Sequence, residues 1–394
     1  MKVLVVGTGG SIVSGISTAA DEMVRTLPGL GHGAQRFNAG ERMRRRPRAV
    51  NLENVTSALS DAAAVAREAR RAHIDAVWIH AFGVPTLSAL RTLALVVGAR
   101  LVGRPAVVQF HAFGLETFVA DGGPVLRTAI RALAVVAGAM VVEHEPAAEA
   151  LRSMTGDAHV RVLNNWVDVP DEAPPLPAQP PLRLVFVGGL VRRKGAAQII
   201  EAMRALDDVP VELRLVGGAG EDGPAALELL HAAADDLVLA GRVTFAGEKD
   251  PAGVRAELRA GHLFVLASDA EGMPLAMLEA MAEGRATLVT DAGNMRTIVE
   301  ETGCGWVLPD REPATIAAHV RRIAADPAAL AAASAAAWRA ASTRYSAGAR
   351  QGEIDGILQG VTGQRLHRQR RHGVDARFRR VLAVSRRGSP DSGQ

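Results

Sequence analysis

Two parts of this chain repeat one rhythm, and that rhythm restricts the fold more than any other feature. Short β-branched runs are each followed by a longer Ala- and Leu-rich segment of helical period: KVLVVG then Ser14 to Leu27, DAVWIH then Pro85 to Leu101, PAVVQFH then Gly122 to Ala137, AMVVEH then Pro146 to Met154. Such alternation predicts parallel strands joined by crossover helices. Between Val169 and Pro181 it stops in VPDEAPPLPAQPP, too proline-rich for a helix or a central strand, which reads as a linker. It then restarts with LRLVFVGG, VELRLVGG, RVTFAG, HLFVLAS, ATLVT and GWVLP. The expected architecture is α/β: two Rossmann-like, doubly wound parallel-sheet domains over residues 1–168 and 182–345, with the linker at 169–181. A last helix over 346–362 is placed to cross back to the first domain, and 363–394 form a basic tail without apolar periodicity. Two such domains leave a cleft lined by the C-terminal ends of their strands.

Composition fits that plan. A chain of 394 residues, 48% of them apolar, can bury two cores. The lone Cys304 excludes an intrachain disulfide and fits a reducing compartment. The N-terminus runs from Met1 and Lys2 straight into VLVV without the pattern of a secretory signal. The longest charge-free apolar run, ALAVVAGAMVV from Ala132 to Val142, falls short of the roughly 20 residues needed to span a bilayer. A cytoplasmic location is therefore expected. The net charge is +3, yet Gly363 to Gln394 hold nine arginines and two aspartates, which is +7, so the rest of the chain sums to −4. The basic character belongs to the tail, and with no reading helix or aromatic stacking set beside it, nucleic-acid binding is not expected. The loop RMRRRP, Arg42 to Pro47, and the tail could each meet an acidic acceptor or an anionic membrane surface, or simply be solvated.

The stretch SDAEGMPLAMLEAMAEG, Ser268 to Gly284, carries the most chemistry. HLFVLASDAEGMP reads as strand, loop and helix start, with Pro274 in the first helical turn. The Gly272 turn then leaves the N–H groups of Met273, Leu275 and Ala276 free for an anion such as a diphosphate, aided by the helix dipole. Glu279 follows about 7 Å along the axis, the span from a diphosphate to the ribose hydroxyls of one nucleotide. Glu271 faces the far side of the diphosphate, where a sugar would hang. Spacing alone equally allows Glu279 on a solvated face and Glu271 as an acid favoured by the dipole. FVGGLVRRKGAAQIIEA, Phe186 to Ala202, is again strand, glycine turn and helix. Lysine occurs only at positions 2, 194 and 249, so Lys194 at a helix start, with Arg192 and Arg193 before it, is a candidate cation for a departing phosphate.

Taken together, EGMPLAMLEAMAEG with seven residues between Glu271 and Glu279, and GGLVRRKG before it, resemble the family 4 glycosyltransferases of GT-B fold. These move a sugar from a nucleotide donor with retention of anomeric configuration. The resemblance runs from VGTGG through VLNNWVDVP to the C-terminal helices and is densest from Phe186 to Gly284. It implies that Glu279 binds the ribose, Glu271 contacts the donor sugar, Lys194 holds the diphosphate, and Gly272, Met273, Pro274 and Leu275 supply backbone donors. Gly189 departs from the family pattern, which has arginine there, so that phosphate neutralisation either falls partly to Arg192 or Arg193 or is weaker. Backbone around Gly247 and Glu248 is expected to meet the base.

In the first domain, VGTGGSIVSG puts Gly7, Gly9 and Gly10 after strand one, where backbone can approach a phosphate. Ile12 stands where a dinucleotide fingerprint needs its third glycine, which argues against a nicotinamide enzyme. His111 ends a strand and points to the cleft, and the resemblance places it at the donor sugar and transfer site. His80 sits at an equivalent strand end, where it either lines the acceptor side or is a satisfied, partly buried histidine; Asn165 is within reach of the cleft, and Trp166 is expected in the core. No Asp-x-Asp pair stands ready for Mg²⁺, so no metal is expected. The expected activity is a retaining, metal-independent transfer from a UDP- or GDP-sugar to an acceptor hydroxyl. A sugar-nucleotide epimerase and a non-catalytic nucleotide-sugar-binding subunit are the alternatives. Epimerised donor without acceptor marks the former, and release of free nucleotide on acceptor addition excludes the latter.

Overall fold

The computed structural model describes residues 1–8, 15–39, 52–81, 86–111, 115, 121–156 and 159–369. Its first sheet contains β1 (Lys2–Thr8), β2 (Gly33–Ala39), β3 (Ala76–Ala81), β4 (Ala106–Phe110), β5 (Ala139–Val142) and β6 (Val160–Val162), in the order β2-β1-β3-β4-β5-β6. Its second contains β7 (Leu182–Val187), β8 (Val211–Val216), β9 (Val243–Gly247), β10 (Leu263–Leu266), β11 (Ala286–Thr290) and β12 (Gly305–Leu308), in the order β12-β11-β10-β7-β8-β9. All pairings are parallel. Helices cover both faces, which is why β3, β4, β5, β10 and β11 are buried along their whole length and read as unbroken apolar runs. The strand order reverses between β1 and β3 in the first sheet and between β7 and β10 in the second, and ligands of doubly wound sheets bind at such points.

The linker keeps to the second domain. Trp338 Nε1 donates to Pro170 O at 3.2 Å, and His262 Nε2 lies 3.1 Å from Pro177 O. Arg285, 1% exposed, donates to Pro174 O and Pro175 O at 2.9 and 3.0 Å and to Glu283 O and Gly261 O at 2.7 and 3.0 Å. Burial lowers its pKa to about 10, which leaves it charged at neutral pH. Where the chain leaves the first domain and where it returns, Val167 pairs beside Ser346, and Val167 N–H donates to Tyr345 O at 2.9 Å.

The returning helix, Ala347–Gln369, closes the first domain. Its Ile354, Ile357, Leu358 and Val361 pack with Val3, Val5, Trp78, Val107, Leu163 and Trp166 in one buried cluster. It runs seven residues past the expected end at 362, into what was read as tail. Apolar periodicity stops at Val361, but Gln, Arg and Leu continue a helix at little cost.

Candidate functional site

The strand-order reversal of the second sheet builds one wall of the site. After β7 the chain turns through Gly188 and Gly189 into a short 3₁₀ turn, Arg192–Lys194, and the helix Ala196–Arg204. Gly188 has φ +147°, and a Cβ there would lie 3.3 Å from Lys194 Cδ and Nζ, so the lysine stem rests on bare backbone. At Gly195, φ is +77° and an added Cβ would meet Ala267 O at 2.1 Å, a close approach that joins the β7 turn to the β10 loop. Across that junction Lys194 Nζ sits 3.3 Å from Glu271 Oε1. The same oxygen accepts from Ser268 Oγ at 2.9 Å and lies 3.4 Å from Arg193 Nη1. Gly272 O accepts from Asn294 N–H at 3.2 Å, which fixes the turn from behind.

The helix Leu275–Ala282 starts one residue later than expected. Pro274 takes the cap position with ψ 116°, extended backbone, rather than the first helical turn. No side chain caps this end, and the N–H groups of Leu275 and Ala276 have no acceptor among the described residues. Glu279 is half-buried one turn on, and its carboxylate accepts no hydrogen bond among the described residues. Burial raises its pKa, Glu22 and Glu283 add to that, and Arg255 and Arg25 oppose it. A carboxylate that is partly dehydrated and unbonded is a strong acceptor for hydroxyl groups.

The opposite wall comes from the first domain. His111, expected to point into the cleft, has its ring enclosed, with 6% of its side chain exposed. Its Nδ1 lies 2.7 Å from Glu143 Oε1 and its Nε2 2.8 Å from His80 Nδ1. His80 is buried, and burial, then His111 and Arg36, hold its pKa well below the ordinary value, so it is neutral. The Glu143 carboxylate fixes a proton on His111 Nδ1, and His80 Nε2 has no partner among the described residues.

Glu143 carries no local signal in the sequence, where it follows the strand run AMVV and precedes a helix. Its carboxylate also accepts from Asn165 Nδ2 at 2.9 Å and, across the cleft, from Met273 N–H at 3.1 Å. Asn165 Nδ2 donates to Met273 O as well, at 2.9 Å. Of the three amides expected to be free for an anion, Met273's is thus already used. Trp166 lies in the core, its Nε1 donating to Thr26 Oγ1 at 2.9 Å.

The other candidates lie around this centre. Arg193 Nε is paired with Glu221 at 2.9 Å and Nη1 donates to Ala270 O at 3.1 Å, whereas the side chain of Arg192 is exposed. A Cβ at Gly189 would make only ordinary contacts, the nearest 3.5 Å away at Gly220 Cα. Gly247 ends β9 with φ +71°, its carbonyl accepting from Gly217 N–H at 2.9 Å, and the Glu248 carboxylate lies over Gly218. Gly9, Gly10, the 42–47 loop and residues 370–394 of the tail are outside the described residues. Among the described residues no helix is long and apolar enough to cross a membrane.

Residues 171–341 match the family model described as glycosyl transferases group 1. The second domain thus resembles a group 1 glycosyltransferase domain. Over 114 residues, 29% of its length, the chain is 36% identical to the putative teichuronic acid biosynthesis glycosyltransferase TuaC of Bacillus subtilis, covering 26% of that protein. A longer match, 30% over 241 residues and 55% of the chain, is to 48% of D-inositol 3-phosphate glycosyltransferase of Gordonia bronchialis. These alignments thus span a quarter to a half of the curated relatives. The whole fold is the GT-B fold. Sucrose-phosphate synthase of Thermosynechococcus elongatus superposes with a TM-score of 0.74 at 17% identity, over 92% of this chain and 99% of that one. HepE of Anabaena, solved with UDP and glucose, gives 0.70 at 17%, over 91% and 99%. Lys194, Glu271 and Glu279 lie within the matched residues, and His111 and Glu143 lie in the first domain.

Proposed function

We propose that the protein is a retaining, metal-independent glycosyltransferase that moves a sugar from a UDP- or GDP-linked donor to the hydroxyl of a glycan, glycolipid or small metabolite. The observation that carries this reading is the helix start at Leu275: two open amides, with Lys194 and Glu271 on one side and the unbonded Glu279 one turn on. A diphosphate on those amides takes Lys194 as its counter-ion and Glu279 receives the ribose hydroxyls. Glu271, in the turn before the amides, accepts a hydroxyl of the sugar. HepE, a protein of the same fold solved with UDP and glucose, supports a nucleotide-sugar donor.

Departure of the nucleotide builds charge on the β-phosphate. Lys194 and the helix N-terminus stabilise that charge in a closed, dry cleft, and such preorganised groups contribute a few kcal/mol each. The acceptor enters from the first domain, and closure brings its hydroxyl into line on the face the diphosphate leaves, with a phosphate oxygen taking the proton. His111, its two ring nitrogens held, lines the transfer site from the first domain. The 42–47 loop and the tail supply a peripheral contact with anionic membrane at the cytoplasmic face.

Thermal-shift and calorimetric titration with UDP, GDP, ADP and their sugars tests the donor site. Product NMR tests the stereochemistry, and an inverted anomer refutes retention. Activity is expected to be unchanged in EDTA. Liposome flotation with and without residues 363–394 tests the tail, and equal flotation of both forms removes that role.

A further inference from the structure

We propose that Glu143 is a positioning residue that assembles the transfer site by fastening the donor turn of the second domain to the first domain. This rests on the function proposed above. Three donors from separate parts of the chain converge on its carboxylate: His111 Nδ1 at 2.7 Å, Asn165 Nδ2 at 2.9 Å and Met273 N–H at 3.1 Å. Glu143 is 6% exposed, and a carboxylate that dehydrated is tolerated only when its oxygens are bonded. One of its partners sits on the other domain, so the set is complete only while the domains are closed. The carboxylate therefore specifies one relative position of the two walls.

Met273 is held at both edges of its peptide units, its N–H by Glu143 and its C=O by Asn165. It precedes Pro274 and the open amides of Leu275 and Ala276, and it follows Glu271 by two residues. Fixing Met273 against Glu143 therefore fixes the diphosphate amides and the sugar-facing acid relative to His111, which shares the same carboxylate. Charge-assisted bonds of this kind are short and strong, and a misplacement of about 1 Å in a transfer site can cost 10²-fold in rate. Glu143 acts through these neighbours rather than on the substrate.

The substitution Glu143→Gln isolates the cross-cleft bond. An amide keeps the length of the side chain, and its oxygen faces the two donors that share Oε1, His111 and Asn165. Its NH₂ group then faces Met273 N–H, donor against donor. In the full-length protein, kcat is expected to fall roughly 10–100-fold, the range seen when a group that orients active-site residues is lost. UDP affinity by calorimetry stays within about twofold, because the nucleotide sits on the second domain. Small-angle scattering without ligand gives a larger radius of gyration than wild type. Glu143→Asp, one methylene shorter, retains the charge but cannot reach Met273, and it is expected to show the same pattern; it decides the test if the Gln variant fails to fold. An unchanged radius of gyration together with kcat within threefold of wild type overturns the proposal, as does a kcat loss matched by an equal loss of UDP affinity at unchanged radius. If wild-type protein transfers no sugar, the function proposed above fails, and the scattering comparison alone decides the role of Glu143.

Discussion

Glu279→Gln tests the nucleotide site with two readouts of opposite sign. Burial raises the pKa of Glu279, so the folded chain holds that proton more tightly than the unfolded chain. The associated stability is present at low pH and is lost as pH rises from the unfolded value, about 4.3, through the raised folded value. Glutamine carries no charge and escapes that loss. The variant without ligand is therefore expected to melt above wild type at pH 7, and the difference should shrink towards zero as pH approaches about 4. Binding moves the other way. Ribose offers two hydroxyls, and hydrogen bonds to a charged partner contribute about 1.5–3 kcal/mol each. Allowing for what glutamine retains, a net loss of about 2 kcal/mol raises the Kd for UDP about 30-fold. Calorimetry at pH 7 and melting curves from pH 4 to 8 read both effects. A Kd within about twofold of wild type refutes the ribose assignment, since a lost charged bond would exceed that. A lower melting temperature at pH 7 refutes the account of burial.

Other perturbations separate site from scaffold. Lys194→Met removes the cation proposed to face the leaving phosphate and is expected to lower kcat about 10²–10³-fold in a transfer assay, the cost of losing one preorganised charge-stabilising group. Arg285→Met leaves four backbone carbonyls, those of Gly261, Pro174, Pro175 and Glu283, without their donor, and urea unfolding should show a loss of roughly 3 kcal/mol. Leu358→Ala empties a fully buried position under the first sheet and should cost about 3 kcal/mol by the same measurement, with UDP affinity unchanged because the proposed nucleotide site is on the other domain.

The sheet-and-helix plan was legible because doubly wound strands, buried on both faces, leave unbroken apolar runs that local sequence displays. Lys194, Glu271 and Glu279 stand out in the sequence as candidates near helix starts, but spacing alone leaves Glu279 free to face solvent, and only the resemblance assigns them roles. Glu143 does not stand out. Its meaning depends on Met273, 130 residues away, and an acid beside His144, Glu145 and Pro146 gives no local sign of a cross-domain bond. His111 was placed at the right strand end, but its enclosure depends on His80 and Glu143 from neighbouring strands, contacts that sequence order does not display. The cap role of Pro274 escaped for a smaller reason: proline lacks an N–H in either position, so composition cannot tell them apart.

The helix that ends on the first sheet makes the chain's domains discontinuous. A fragment of residues 1–168 lacks Ile354, Ile357, Leu358 and Val361, and so exposes Trp78 and Leu163 to water. Because Val167 and Ser346 lie side by side, a short glycine spacer joining them would excise the second domain and leave the first with its own C-terminal cover. Such a spliced chain is expected to unfold cooperatively, whereas the simple truncation is expected to aggregate.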